Sequence, residues 1–172
     1  MAITPDTKDW TWVLERPCDQ CGYDAAPVAP ASVAELLREN AARWPAVLAR
    51  PDARERPDDS TWSPLEYGAH VRDVFRIFRV RLASMRDDDN PLFANWDQDA
   101  TAIEDRYNEQ DPTKVAQELV DAAGLLAADF DTVSGDEWDR LGRRSDGATF
   151  TVSTLALYLL HDPVHHLWDV RG

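Results

Sequence analysis

Apolar residues recur at helical spacing in four separate segments of this chain, and no other feature constrains its fold as strongly. Within each segment they follow the three- and four-residue steps that place side chains on one face of a helix. The four segments are residues 31–49, 64–85, 112–133 and 151–170. Because amphipathic helices bury their apolar faces against one another, the pattern predicts an all-α fold, a four-helix bundle.

The second segment has the clearest start. Ser63 can cap the helix, Pro64 takes the first helical position, and Glu66 completes a capping box. The third segment begins with a similar pairing of a capping residue and a proline at residues 111–112. Pro45, inside the first segment, predicts a kink or a late break.

Two long connections separate the helices. Residues 90–110 predict a link with one short helical piece near residues 100–107, and the glycine-rich residues 135–150 predict a loop or a short hairpin. Connections of this length are often functional, so we expect both to border any site.

Residues 1–30 lack a clear period and predict an irregular arm that packs over a helical domain of residues 31–172. The arm carries both cysteines of the chain, Cys18 and Cys21, which are too few for a disulfide scaffold. Their spacing leaves three interpretations open: reduced cysteines in a turn, a redox-active pair, or a metal site that borrows His166 or a carboxylate.

The composition limits the possible partners. A chain of 172 residues with 44% hydrophobic residues is long enough for one domain with a buried core. Its net charge of −14 argues against binding to nucleic acid or to an anionic membrane surface. No apolar run is long enough to span a bilayer, and the N-terminus lacks the features of a signal peptide, so a cytoplasmic location is expected.

The histidines suggest a metal site. His161 and His165 are four residues apart, which places them on one face of the last helix. If the second and fourth helices are neighbours, His70 can complete a three-histidine site, and three protein ligands leave positions open for water or substrate. His166 is rotated by about 100° from His165 and should lie outside that site. Pro163, inside the pair, could kink the helix and rotate one ligand relative to the other.

Imidazoles that bind metals usually donate their second N–H to a carboxylate or a carbonyl. The candidates at helical spacing are Glu66 and Asp73 for His70, and Asp169 for His165. His166 is expected at the surface or beside the ligands. If a metal is bound, it would activate a water molecule or an incoming thiol at neutral pH.

Two segments together resemble a known family. The sequence TWSPLEYGAHVRDVFRIF resembles the second helix of the DinB-like (YfiT-like) metalloenzyme superfamily, and HDPVHHLWDV resembles its last helix. The resemblance covers residues 31–170 and implies an up-down-down-up four-helix bundle. It also implies a divalent metal, zinc or nickel, held at His70, His161 and His165. Relatives include the mycothiol-dependent maleylpyruvate isomerase and thiol S-transferases.

Three functions are therefore compared. The first is a metal-dependent, thiol-dependent transferase or isomerase that acts on a small molecule, with a low-molecular-weight thiol as partner. The second is a non-catalytic metal-binding or stress-response module. The third is a helical interaction protein without metal, for example a homodimer that uses the tryptophan-rich arm. Metal content after purification separates the third function from the other two.

Overall fold

The computed structural model describes residue 3 and residues 9–172, and this part of the chain contains six α-helices, four short 3-10 helices and one hairpin. The helices are α1 (Val33–Ala41), α2 (Trp44–Leu48), α3 (Pro64–Asp87), α4 (Gln98–Glu104), α5 (Pro112–Asp131) and α6 (Val152–Asp169). Strands β1 (Leu141–Arg143) and β2 (Thr149–Thr151) pair in antiparallel fashion. Residues 1, 2 and 4–8 of the predicted arm lie outside the described residues.

The four predicted helices form the bundle. Helix α3 packs against α5 and α6, and α1 packs against the same two helices, so the order around the bundle is α1, α5, α3, α6. Their apolar faces meet in one core, where Leu37, Phe75, Leu119 and Leu159 are fully buried. The predicted all-α four-helix bundle is confirmed, and α3 and α6 are neighbours, as a site shared between them requires.

The first predicted helix is divided in two. Helix α1 ends at Ala41, and α2 begins at Trp44 with Pro45 in its first turn. A proline at this position has no N–H for the Ala41 carbonyl, and its ring would collide with that carbonyl in a continuous helix. The break expected at Pro45 therefore takes the form of a new helix start.

Both long connections contain the small elements that the sequence suggested. Helix α4 lies in the first connection, and the second forms the β1–β2 hairpin. The Phe93 N–H donates to the Arg143 carbonyl at 2.8 Å, so the first connection is joined to the hairpin. The two segments therefore lie side by side at one end of the bundle.

The start of α3 holds His70 in place. The Ser63 hydroxyl accepts the Glu66 N–H at 3.3 Å, and the Glu66 carboxylate accepts the Ser63 N–H at 2.9 Å, which completes the predicted capping box. Arg56 forms an ion pair with the same carboxylate. His70, one turn after Glu66, is 1% exposed.

The N-terminal arm lies against α6. The hydroxyl of Tyr23 donates to the Leu157 carbonyl at 2.7 Å, and a 3-10 turn at Thr11–Leu14 packs on the same helix. The boundary predicted at residue 30 stays a prediction. Among the described residues, no helix has the length and apolar character needed to cross a bilayer.

Candidate metal centre

Helix α6 carries two pairs of potential metal ligands, and the two members of each pair are four residues apart. His161 and His165 form one pair, and Asp162 and His166 form the other. One residue of helix is a rotation of about 100°, so the two pairs point in different directions. The helix continues without interruption through Pro163, and the rings of His161 and His165 remain on one face, with centroids 5.0 Å apart.

Asp162 and His166 meet His70 of α3. The Nε2 atom of His70 lies 3.5 Å from Oδ2 of Asp162, and Nε2 of His166 lies 3.8 Å from Oδ1 of Asp162. One ligand atom from each of the three residues falls within 4.8 Å of the other two. Oδ1 of Asp162 and Nδ1 of His70 are buried and have no hydrogen-bond partner among the described residues. We call these three residues the pocket triad.

Asp169 orients the ring of His166. Its Oδ2 lies 2.8 Å from Nδ1 of His166, which favours the tautomer with a proton on Nδ1 and leaves the lone pair of Nε2 facing Asp162. Its other oxygen lies 3.8 Å from Nε2 of His165. One carboxylate therefore touches an imidazole from each pair.

Asp162 and His166 line a cavity of about 620 Å³, and so do His161 and His165 on the neighbouring face of α6. The aromatic rings of Trp62 and Trp96 cover His70, and Trp96 is stacked on the imidazole with centroids 5.6 Å apart. The predicted border segments contribute residues 95–99 and Arg144. This volume is typical of a cleft that binds a small molecule.

A cationic group lies in the same cavity, away from the pocket triad. Arg81 and Arg144 both line the cavity, and Arg144 donates to the Tyr158 hydroxyl at 3.0 Å. Arg144 is also paired with Asp146, whereas Arg81 forms no ion pair with a described residue. Burial lowers the pKa of Arg81. Arg81 follows His70 by three turns of α3, which is about 16 Å.

His161 and His165 face the arm and meet its two cysteines. The sulfur of Cys18 lies 3.7 Å from Nδ1 of His165, and ligand atoms of all four residues lie within 4.8 Å of one another. Cys18, His161 and His165 are buried, and Cys21 is half-buried. Both cysteines are free thiols. We call these four residues the arm cluster.

The three histidines predicted as metal ligands are thus divided between two groups. His70 lies in the pocket triad, whereas His161 and His165 lie in the arm cluster. The physical reason is the rotation of α6 about its own axis, which turns residues 162 and 166 toward α3. The assignment of a metal to His70, His161 and His165 stays a prediction, and ligand variants can separate it from the grouping described here.

The other predicted partners of the ligands have different contacts. Glu66 caps α3 and pairs with Arg56, and Asp73 accepts hydrogen bonds from Arg72 and from the Tyr107 hydroxyl at 2.6 Å. Among the described residues, neither carboxylate forms a hydrogen bond or an ion pair with His70. Asp169, the third candidate, bonds to His166 and lies near His165.

Burial and neighbouring charges set the ionisation of both groups. Burial alone would raise the pKa of Asp162, but the charges of His70 and His166 hold it at about 2. Burial lowers the pKa of His161 to about 4, so its ring is neutral at pH 7. Burial raises the pKa of the Cys21 thiol to about 11, the opposite of the shift that activates redox cysteines.

Asp162 is the member of the pocket triad that sequence reasoning missed. The signal was available, because Asp162 and His166 have the same spacing of four as His161 and His165. A carboxylate is as suitable a zinc ligand as an imidazole. A search limited to histidines therefore found one of the two pairs.

Comparisons with known proteins agree with this fold. The chain matches the family model of the DinB superfamily over residues 48–170. It is also similar in structure to YfiT from Bacillus subtilis, described as a probable metal-dependent hydrolase with an unusual four-helix bundle topology. That similarity has a TM-score of 0.72 at 17% identity and covers 82% of this chain and 85% of YfiT. No curated protein sequence matches the chain. The family match spans well over half of the chain, which therefore belongs to the DinB superfamily.

Proposed function

We propose that this chain is a metal-dependent transferase or isomerase that uses a low-molecular-weight thiol, and that its divalent metal is held by His70, Asp162 and His166. The observation that carries the proposal is the convergence of these three donors, two of which, Asp162 and His166, line the cavity. The sequence resemblance and the description of YfiT as a probable metal-dependent hydrolase support a metal in this fold.

The pocket triad fits such an ion. Nε2 of His70, Nε2 of His166 and the carboxylate of Asp162 already converge, and one carboxylate oxygen is buried without a hydrogen bond among the described residues. Two imidazoles and a carboxylate suit zinc or nickel. Three protein ligands also leave coordination positions open, which is typical of catalytic sites.

A bound divalent ion supplies Lewis-acid activation of a thiol or a water molecule at neutral pH. The residues of the chain position that chemistry. Asp169 fixes the tautomer of His166, and Trp96 limits the movement of the His70 ring. The two tryptophans exclude water from one side of the triad.

The nucleophile comes from outside the chain. Ser60 is the one serine among the described residues that line the cavity, and its hydroxyl donates to Asp58 at 2.7 Å rather than to a histidine. Neither cysteine lines the cavity. A cavity of about 620 Å³ has room for an external thiol beside a small electrophile.

The substrate is expected to carry an anionic group. Arg81 lies about 16 Å from His70 along α3 and has no carboxylate partner among the described residues. A carboxylate or a sulfonate on the substrate or on the thiol can pair with it. The triad and Arg81 therefore favour an elongated molecule with a reactive centre at one end and a negative charge at the other.

A turnover screen with metal-loaded protein tests the proposal. Glutathione, cysteine and mycothiol are each paired with chlorodinitrobenzene, and the thioether and the released chloride are measured. We expect turnover with at least one thiol, which is lost in Asp162→Asn and in His70→Gln but retained in His161→Gln. Loss in His161→Gln with retention in Asp162→Asn would instead assign the metal to His70, His161 and His165.

Hydrolysis is the second candidate, and the similarity to YfiT favours it. The same protein is therefore assayed with small carboxylate esters and amides without thiol. Metal-dependent hydrolysis without a thiol would replace the transferase proposal. The absence of turnover in both assays, with metal bound at the triad, would favour a non-catalytic metal-binding module.

A further inference from the structure

We propose that the arm cluster, Cys18, Cys21, His161 and His165, is a second metal site that binds a structural zinc ion and joins the N-terminal arm to helix α6. This site shares no residue with the pocket triad, although His161 and His165 line the same cavity, and it does not depend on the proposed function.

The geometry is close to a zinc tetrahedron. With zinc bonds of about 2.0–2.1 Å to nitrogen and about 2.3 Å to sulfur, neighbouring ligand atoms lie about 3.3–3.8 Å apart. Cys18 Sγ and His165 Nδ1 are already 3.7 Å apart, and ligand atoms of all four residues lie within 4.8 Å of one another. Small side-chain rotations would complete the tetrahedron.

The local backbone brings the two sulfur atoms together. The Gly22 N–H donates to the Cys18 carbonyl at 2.9 Å, which closes a tight turn around the cysteine pair. Gly22 has a φ of +75°, a conformation that favours glycine. The Cys18 N–H donates to the Tyr23 carbonyl at 2.8 Å, and the Tyr23 hydroxyl is anchored on α6. The turn therefore holds the thiols against the helix.

A buried nitrogen supplies an independent observation. Nε2 of His161 is buried and has no hydrogen-bond partner among the described residues. A buried polar atom without a partner destabilises the folded state, and a bond to a metal ion removes that penalty. The ring of Trp10 covers both histidines, with centroids 5.2 Å from His161 and 5.3 Å from His165.

The donor set identifies the metal and its role. Two thiolates and two neutral imidazoles form a closed set of four ligands, which is typical of structural zinc sites. The two thiolate charges balance the charge of the ion, so the group can be buried without a net charge. Two residues separate the cysteines and three separate the histidines, which matches the ligand spacing of such sites.

The zinc ion would join two distant parts of the chain. Cys21 and His161 lie near opposite ends of the sequence, so the ion closes a loop that contains most of the bundle. Trp10 and Gln20 of the arm also line the cavity beside the pocket triad. The second site would therefore fix one wall of the cavity.

Cobalt substitution tests the site without a variant. Protein without a tag is prepared with Co²⁺ in place of zinc, and its absorption spectrum is recorded. We expect a thiolate-to-cobalt charge-transfer band in the near ultraviolet and strong tetrahedral d–d bands. A spectrum without the charge-transfer band would overturn the proposal, because no sulfur would then bind the metal.

Zinc stoichiometry tests the ligands. Wild type, Cys21→Ser and the matched control His70→Gln are analysed for zinc, with circular dichroism as a check on folding. We expect Cys21→Ser to lose the zinc of the arm cluster and the cobalt charge-transfer band, and His70→Gln, which alters only the pocket triad, to keep the charge-transfer band. Equal zinc content in wild type and Cys21→Ser, or thiols that react with dithionitrobenzoate equally fast with and without zinc, would contradict the proposal.

Discussion

The two sides of helix α6 differ by one residue of rotation and by the segments packed against them, although both border the same cavity. Residues 161 and 165 face the irregular arm, where two thiols and a tryptophan enclose them. Residues 162 and 166 face α3, where the third donor is a histidine. The neighbours of a helix face, and not only its own sequence, therefore decide what kind of metal site it can form.

Donor number and access separate the two groups chemically. The arm cluster offers four donors and includes the thiolates that zinc prefers, so a bound ion would have no position left for substrate. The pocket triad offers three donors, of which Asp162 and His166 line the cavity of about 620 Å³. The first arrangement favours a structural role and the second a catalytic one.

The largest expected effect is the loss of the structural zinc. Binding stabilises the native state by about 4 kcal/mol when free zinc is a thousand times Kd, which raises the Tm by about 8–16 °C for a chain of this size. In the Asp162→Asn background, where the pocket triad is weakened, we expect zinc to raise the Tm by this amount in scanning calorimetry.

The matched variant adds Cys21→Ser to the same background, and we expect its Tm to be nearly independent of zinc. If the double variant keeps the full zinc response, the arm cluster does not hold the ion, and the contrast between the two sides of α6 fails.

Asp162→Asn itself should weaken metal binding at the pocket triad. The substitution keeps the shape of the side chain but removes the charge that faces His70 and His166, so we expect about a 100-fold loss of affinity, which is about 2.7 kcal/mol. Calorimetric titration of zinc or nickel into protein that already holds one zinc measures this site. The affinity of the first, tightly bound zinc should stay unchanged. Equal affinity in wild type and Asp162→Asn would remove Asp162 from the site.

The fold and the site were predictable to different degrees. The apolar periodicity predicted the four bundle helices, because the spacing of the apolar residues can be read within each segment alone. The capping box at Ser63 and Glu66 was equally clear, since both partners lie within one turn of helix. The break before Pro45 followed from the chemistry of proline.

The partners of the histidines were not predictable in the same way. The spacing of His161 and His165 places them on one face, but only packing decides whether that face meets α3 or the arm. The arm has no period from which its path could be inferred, so the approach of Cys18 to His165 was not visible in the sequence. Asp162 was overlooked because an acidic residue beside a histidine is usually solvated.

Asp73 provides a structural contrast to Asp162. It lies on α3 one turn after His70, but Arg72, Arg76 and Tyr107 occupy its oxygens. Burial alone would raise its pKa, and the hydrogen bonds of Arg72 and Tyr107 lower it below its usual value. We expect Asp73→Asn to cost about 2 kcal/mol of unfolding free energy at pH 7 without changing metal affinity.

The pH dependence of the unfolding free energy tests whether the charge of Asp73 causes this stabilisation. A carboxylate with a lowered pKa in the folded state adds stability above its unfolded pKa, near 3.8, and loses it as the pH falls through the folded value. Urea unfolding of wild type and Asp73→Asn should therefore differ most at neutral pH and converge below pH 3.8. A constant difference down to strongly acidic pH would assign the stabilisation to packing rather than to charge.

Asp169→Asn should have the smallest effect of these substitutions. It also tests most directly whether the pocket triad and the arm cluster are independent sites. The carboxylate is 2.8 Å from Nδ1 of His166 but 3.8 Å from Nε2 of His165, so it forms a hydrogen bond with only the first ring. An asparagine can present its N–H₂ to Nδ1 and so favour the wrong tautomer of His166. We expect about a tenfold weaker affinity at the pocket triad and little change at the arm cluster, measured by competition with a chromophoric chelator. If metal affinity fell equally at both sites, Asp169 would couple them. A tilt of the His166 ring on one side of α6 would then also move the His165 ring on the other side.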